Sequence, residues 1–277
     1  MFPRRHTAAT GGSQTEPWQT SHMDGRPALR AILLGASNLA SALPLAVDRL
    51  RRQAGGPIQV LAACGHGRSY GMWSRFLFAR GLPGIAGCGL WPELDRLPQL
   101  PTVALVTDVG NDLLYGADAA TIASWVDGCL GRLAGHGAET VLTLLPLPVL
   151  ETLTPRRYLV ARSILFPGRT VPWPRLLAEA RELDGRLRQI GTERGARLVE
   201  PSASWYGIDP IHVRRSLRQE AWDLILPPAG LSGGESSPAG RCRPPRFGAA
   251  CFRLFGAEFR RPQPALKLDD GTTLSLF

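Results

Sequence analysis

Asp209 and His212 stand three residues apart on a turn introduced by Gly207-Ile208 and broken by Pro210. A carboxylate at that spacing can hold one imidazole nitrogen, fix the tautomer and leave the other nitrogen free to take a proton. Such a pair needs a nucleophile, and the chain offers two serines on turns that follow apolar runs. Ser37 closes Leu33-Leu34-Gly35-Ala36-Ser37 and is followed by Asn38, whereas Ser69 lies in Gly67-Arg68-Ser69-Tyr70-Gly71, a literal G-x-S-x-G. Asn111 follows a glycine in Asp108-Val109-Gly110-Asn111-Asp112, where its amide can donate to a developing oxyanion. Backbone N–H groups at Ser37 and Gly71 would complete three donors. Together these residue types describe a nucleophile, a base that can take its proton and donors for a developing oxyanion.

The elements that must carry them follow from hydrophobic periodicity. Continuous apolar runs over 29–34, 58–63, 103–107, 140–145 and 197–199 predict strands buried on both faces, as in a parallel sheet. Between them, apolar residues recur at helical spacing over 39–53, 119–133 and 174–193, and a last helix is expected over 211–226, ending at Pro227-Pro228. A further helix, opened by Gly71, is expected over 72–79. This alternation predicts a three-layer α/β/α sandwich on a parallel sheet of about five strands. In such sheets ligands bind beyond the carboxyl ends of the strands, which is where Ser37, the glycine-rich 64–71 segment, Asn111 and the Asp209–His212 turn all fall.

Residues 1–27 are rich in Gly, Ser, Thr, Gln and Pro and predict a disordered leader; the core domain is expected over 28–227. Residues 228–277 are expected to form a Pro/Gly-rich linker and a small β appendage, with a hairpin at Asp270-Gly271. The chain has 277 residues, 44% hydrophobic and 20% charged, an ordinary globular composition. No apolar run approaches the ~20 residues of a membrane span, and no signal peptide is evident, so a cytoplasmic location is expected. The net charge of +9 is dispersed and carried almost wholly by arginine, Lys267 being the only lysine, which argues against nucleic acid as a partner. The five cysteines form no C-x-x-C or C-x-x-H pair, so neither a metal site nor a disulfide framework is expected.

The blocks Gly35-Ala36-Ser37-Asn38, the glycines after the second strand, Gly110-Asn111-Asp112 and Asp209-x-x-His212 resemble, in order, the four blocks of the SGNH (GDSL-type) hydrolases. They span 33–213, nearly the whole core. The resemblance implies a flavodoxin-like fold and, without cofactor or metal, hydrolysis of carboxylic esters or thioesters, or acyl transfer, through an acyl-enzyme, with a small-molecule ester as substrate. It implies Ser37 as nucleophile, His212 as general base and acid, Asp209 as its orienter, and Ser37 N–H, Gly71 N–H and the Asn111 side chain as oxyanion hole. Gly67 is the other glycine able to fill that place. Ala36 departs from the family's usual aspartate before the serine, removing a carboxylate expected to brace the active-site loops, and Asn38 is the residue placed to take over part of that role.

Each residue also has a plainer reading. Ser37 is a good helix cap, Asp112 is structural, His66 and His136 are solvated loop residues, Cys64 is a buried thiol, and Trp173, Trp205 and Trp222 are core or rim. Ser69 as an α/β-hydrolase nucleophile is the competing enzyme reading, although only two strands precede it and that fold separates its acid from its histidine. A catalytically lapsed binding module is the competing non-enzyme reading. The segment 149–171 mixes apolar and arginine residues and suits either a lid over an acyl pocket or a clamp for an anion.

Overall fold

The stretch Leu-Arg-Ala-Ile-Leu-Leu is apolar toward both faces, and it forms β1 (Leu29–Leu34), every residue of which is buried. The computed structural model describes residues 26–76, 80–165, 170–229, 241–245 and 248–277; the expected leader lies outside them, apart from its last two residues. After β1 come α1 (Ser37–Ala54), β2 (Ile58–Ala63), β3 (Ser74–Phe76), β4 (Arg80–Leu82), α2 (Leu90–Arg96), β5 (Thr102–Val106), α3 (Asn111–Leu114) and α4 (Ala119–Gly135). Then follow β6 (Glu139–Thr143), α5 (Leu147–Glu151), α6 (Pro155–Leu165), α7 (Trp173–Glu193), β7 (Arg197–Val199) and α8 (Arg218–Ile225). The chain closes with β8 (Cys251–Leu254), β9 (Ala257–Arg260), β10 (Leu266–Lys267) and β11 (Thr273–Leu276).

The main sheet has the order β10-β11-β2-β1-β5-β6-β7, parallel throughout except for β10. The five expected strands all form, and two more join them. Helices cover both faces. Ile32 and Leu34 of β1 pack toward α2, α4 and α7, whereas Leu29, Ala31 and Leu33 pack toward α1 and α8. The period-2 alternation of a strand thus feeds two cores at once. On α1, Leu39, Leu43, Val47 and Leu50 form the apolar stripe, and Gly55 ends the helix in the left-handed region at φ 68°.

The register decides where the site lies. Leu34 of β1 is level with Ala63 of β2 and with Val106 of β5, so the three following turns share one edge of the sheet. The chain leaves β1 toward β2 on one side and later returns through β5 on the other. The crevice between the ends of β1 and β5 is therefore the topological switch point.

Three expectations change. No helix forms in the described part of 72–79: Ser74–Phe76 is a strand paired antiparallel with Arg80–Leu82, because the Gly71 and Met72 N–H groups bond the Ser69 hydroxyl and turn the chain away. Residues 77–79 lie outside the described part. The last helix begins at Arg218 rather than 211, after a 3₁₀ turn at Arg215–Leu217, since the Ile211 and His212 N–H groups go to Asp209 and that of Val213 goes to Asn38. The C-terminal segment is not an appendage. Its hairpin forms, with Leu266 opposite Leu274, but β11 runs alongside β2 in the main sheet, and β8 and β9 complete a second sheet of order β3-β4-β8-β9. Buried Arg51 on α1 bonds Asp270 at 2.5 Å, and the Leu274 side chain is buried in the core. Most of the expected linker lies outside the described residues.

Candidate active site

Gly35 makes the turn after β1 possible. A Cβ there would run into Thr107 on β5's extension and into Leu39, so only glycine lets the two strand ends approach. Ala36 caps α1 without any side-chain bond, and Ser37 is the first helical residue. Its hydroxyl does not cap the helix. Ser37 Oγ lies 2.8 Å from His212 Nε2, and His212 Nδ1 lies 2.7 Å from Asp209 Oδ2. The other carboxylate oxygen, Oδ1, accepts the Ile211 and His212 N–H groups at 3.0 and 3.1 Å, which fixes the carboxylate relative to the ring it faces.

This network assigns the tautomer. Nδ1–H donates to Asp209, leaving the Nε2 lone pair to accept the Ser37 hydroxyl proton. Burial pushes the imidazole toward the neutral form, but the hydrogen bond and charge of Asp209, aided by Asp108, outweigh it and hold His212 above its ordinary value. For Asp209 burial works the other way, raising it; bonds from His212 and the Ile211 N–H prevail, and its carboxyl sits below the usual carboxylate range. The carboxylate thus stabilises the protonated ring, which strengthens His212 as the acceptor of the Ser37 proton.

Asn38 ties the two halves together. Its Nδ2 donates to Asp108 Oδ1 and to the Ile211 carbonyl, both at 2.9 Å, and its Oδ1 accepts the Val213 N–H at 2.9 Å. Asp108 accepts two more bonds, from the N–H of Ala36 at 2.9 Å and of Leu39 at 3.1 Å. Sequence reasoning gave Asp108 no part. The one signal was a carboxylate directly after a buried strand at the edge where ligands bind.

Asn111 opens α3 and lines the same cavity as Ser37, with its amide nitrogen 3.5 Å from the Arg68 carbonyl, the outer limit of a hydrogen bond. Gly71 is not brought to the site. Its N–H donates to Ser69 Oγ at 3.1 Å and its Cα packs against Trp125. The residue of that loop beside Asn111 is Arg68; next to it, the Gly67 carbonyl accepts Tyr115 OH at 2.5 Å, and Gly67 sits in the left-handed region at φ 64°. Its N–H has no hydrogen-bond partner among the described residues. His66 is exposed, as expected of a loop residue. Partial burial first, then the positive charges of His212 and Arg80, lower its imidazole.

Ser69 is fully buried, its oxygen accepting the Gly71 and Met72 N–H groups beside the Asp112 carboxyl. Among the described residues no histidine reaches it. Asp112 is itself buried, accepts the Tyr70 N–H at 2.8 Å and is pushed up to about 6 by that burial. Cys64 is likewise raised by burial, to about 11.

The cavity running from Ser37 is mostly apolar. Leu113, Leu145, Leu153, Tyr158, Trp173 and Leu176 form much of its wall. The segment 149–171 supplies part of it: Tyr158 on α6 stacks obliquely on Trp173 at 4.9 Å between centroids, and Arg162 lies 5.7 Å over the Tyr158 ring. Arg157 of the same helix donates to the Gly207 carbonyl at 3.2 Å, linking α6 to the histidine loop. Trp173 and Trp222 line the cavity, and Trp205 is core.

No protein-family model matches the sequence, and no curated protein does. Solved structures similar to the chain include three described as esterases. The psychrotrophic esterase EstA from Pseudoalteromonas sp. is 15% identical, covering 70% of this chain and 93% of its own, with a TM-score of 0.41. AlinE4, described as an SGNH-hydrolase family esterase, is 20% identical over 61% of this chain and 75% of its own, at 0.37. The acetyl xylan esterase AlAXEase is 12% identical over 70% and 97%, at 0.42. Among the described residues no helix is long and apolar enough to cross a membrane.

Proposed function

We propose that the protein is a serine hydrolase of the SGNH type, cleaving carboxylic esters through an acyl-enzyme. The observation that carries the reading is the hydrogen-bonded chain from Asp209 through His212 to Ser37 at the mouth of an apolar cavity, on the sheet edge where α/β proteins bind ligands. Ser37 Oγ attacks the ester carbonyl while His212 Nε2 takes its proton. The resulting oxyanion is met by the Ser37 N–H, free at the first turn of α1, and by the Asn111 amide. The third donor is assigned to the Gly67 N–H, since that of Gly71 is already engaged. The tetrahedral adduct collapses, its C–O bond breaks, and the departing alkoxide takes the proton from His212. Water then enters, and His212 takes its proton as the hydroxide oxygen bonds the acyl carbon. The second adduct collapses by breaking the bond to Ser37 Oγ, which recovers the proton from His212 as the acyl group leaves as the free acid.

The wall of leucines and aromatic rings suits an apolar acyl group longer than acetyl. Five unpaired cysteines suit a reducing, cytoplasmic setting. A series of p-nitrophenyl esters from acetate to dodecanoate tests both the activity and the acyl preference. kcat/KM is expected to rise along the series until the cavity is filled, by up to ~4-fold per methylene, the equivalent of about 0.8 kcal/mol. A maximum at acetate would remove the acyl assignment to this cavity. No turnover, together with no labelling by a fluorophosphonate, would replace the esterase reading with that of a binding module.

A further inference from the structure

Asp108 has the most demanding geometry of any residue near the site. It follows β5 and Thr107 and adopts φ 59°, a backbone conformation that L side chains rarely take and that Asp and Asn tolerate best. Its carboxylate gathers three donors from the turn that carries Ser37. Oδ2 accepts the N–H groups of Ala36 and Leu39, and Oδ1 accepts Asn38 Nδ2. The two backbone donors flank Ser37 on either side. Holding them leaves the Ser37 N–H between them, aimed by its neighbours yet without a partner among the described residues. The third bond extends the reach. Asn38 bonds the Ile211 carbonyl and the Val213 N–H, the residues on each side of His212.

We propose that Asp108 is a positioning residue that sets nucleophile and base against each other, one carboxylate clamping the Ser37 turn directly and the His212 loop through Asn38. This rests on the esterase reading above. The position is also informative. The turn has Ala36 where a carboxylate preceding the serine would stand, and the Ala36 N–H is bonded instead by a carboxylate delivered from the neighbouring strand. The carboxylate that braces this turn stands on the other wall of the switch-point crevice.

A plain structural alternative exists: three charge-assisted bonds at the N-terminus of α1 would stabilise that helix whatever Ser37 does. The two roles separate at His212. The charged and titratable groups facing that ring are Asp209, Asp108, Arg218 and His66. Burial lowers the imidazole, Asp209 raises it most, Asp108 adds to that and Arg218 opposes it. Removing the Asp108 charge therefore shifts His212 down. Since the base must be neutral to act, the acid limb of activity moves to lower pH.

The test is Asp108→Asn, which keeps the side-chain shape and tolerates the left-handed backbone. With p-nitrophenyl butyrate, kcat is expected to fall ~100-fold, the loss that a small misplacement of reacting groups produces, with KM within about twofold. In ¹⁵N NMR of the histidine rings, the His212 titration should move to lower pH. The proposal is overturned if a folded variant keeps either kcat or the His212 titration unchanged, even when its thermal midpoint falls. Should Asp108→Asn not fold, Asn38→Ala decides: it leaves the bonds to Ala36 and Leu39 intact but cuts the link to the histidine loop. Its kcat should drop at least ~10-fold, consistent with lost orientation, and an unchanged kcat overturns the clamp. If wild type turns over no ester, the esterase reading fails by itself. The His212 titration of Asp108→Asn then judges Asp108 alone, a shift supporting the clamp and no shift overturning it. Where that variant does not fold, Asn38→Ala does so through the ¹⁵N shifts of the His212 ring, which should change as the ring loses its place against Ser37 and which, unchanged, overturn the clamp.

Discussion

Ser37 and Ser69 each follow a parallel strand and each sit on a glycine-bounded turn, yet their hydroxyls meet opposite surroundings. Ser37 Oγ touches an imidazole whose partner carboxylate is held below the ordinary range, so the neighbourhood favours charge. Ser69 Oγ is fully enclosed by two backbone N–H groups and by a carboxyl that burial pushes up to about 6, so the neighbourhood suppresses charge. The first environment can activate a nucleophile, and the second can only shape a turn. The G-x-S-x-G string around Ser69 is thus a turn built from glycine freedom and serine hydrogen bonding. A motif is decided by the groups its side chain meets, and those come from elsewhere in the chain.

The sharpest way to break that contrast is to remove each hydroxyl. Ser37→Ala is expected to lower ester turnover by ~10⁴-fold or more and to abolish fluorophosphonate labelling, with the thermal midpoint little changed. Ser69→Ala should do the reverse. It orphans the Gly71 and Met72 N–H groups, a cost of about 1–3 kcal/mol and a midpoint lower by several degrees, with kcat/KM of the folded protein within a few-fold. Labelling that survives Ser37→Ala and vanishes with Ser69→Ala would exchange the two roles.

Much of this was legible in order and spacing. Continuous apolar runs mark strands buried on both faces, and the period of α1, α4 and α7 is unbroken, so the sandwich follows from pattern alone. The turn bearing Ser37 and the Asp209–His212 pair were legible because local spacing already limits what the side chains can reach. What depends on contacts between distant residues was not. Asp108 bonds Ala36, 72 positions away, only because β1 and β5 are neighbours at the switch point. The 72–79 segment reads as a helix until the Ser69 hydroxyl takes the donors that a helix start would leave free. β11 is short and half polar, Thr-Leu-Ser-Leu, and its place beside β2 is set by the buried Arg51–Asp270 pair and by Leu274 rather than by its own pattern.

A second, smaller effect sharpens the charge-stabilising side of the comparison. Asn111 lines the cavity with only a marginal bond to Arg68, so its amide is held loosely enough to turn toward an oxyanion. Asn111→Ala is expected to lower kcat ~100–1,000-fold, the loss of one oxyanion donor, with KM little affected. Fluorophosphonate labelling should be slowed but present, because the nucleophile and its base remain. A variant with wild-type kcat would remove Asn111 from the oxyanion hole and leave it as a turn residue.

The smallest effect probes the charge-suppressing side. Asp112 has an ordinary value of 3.8 and is pushed up to about 6, so the folded protein holds a proton that the unfolded chain releases between those pH values. Protons bound by the folded state and not by the unfolded one make stability fall as pH rises through that window, and the loss is complete above about 6. A shift of this size corresponds to something on the order of 2–3 kcal/mol at most. Asp112→Asn keeps an acceptor for the Tyr70 N–H but cannot ionise, so its thermal midpoint should change less between pH 4.5 and 7 than that of wild type. The difference between the two slopes isolates Asp112, because every other titrating group is common to both proteins. Equal slopes would mean that Asp112 ionises normally, and the environment of Ser69 would then tolerate charge as readily as that of Ser37.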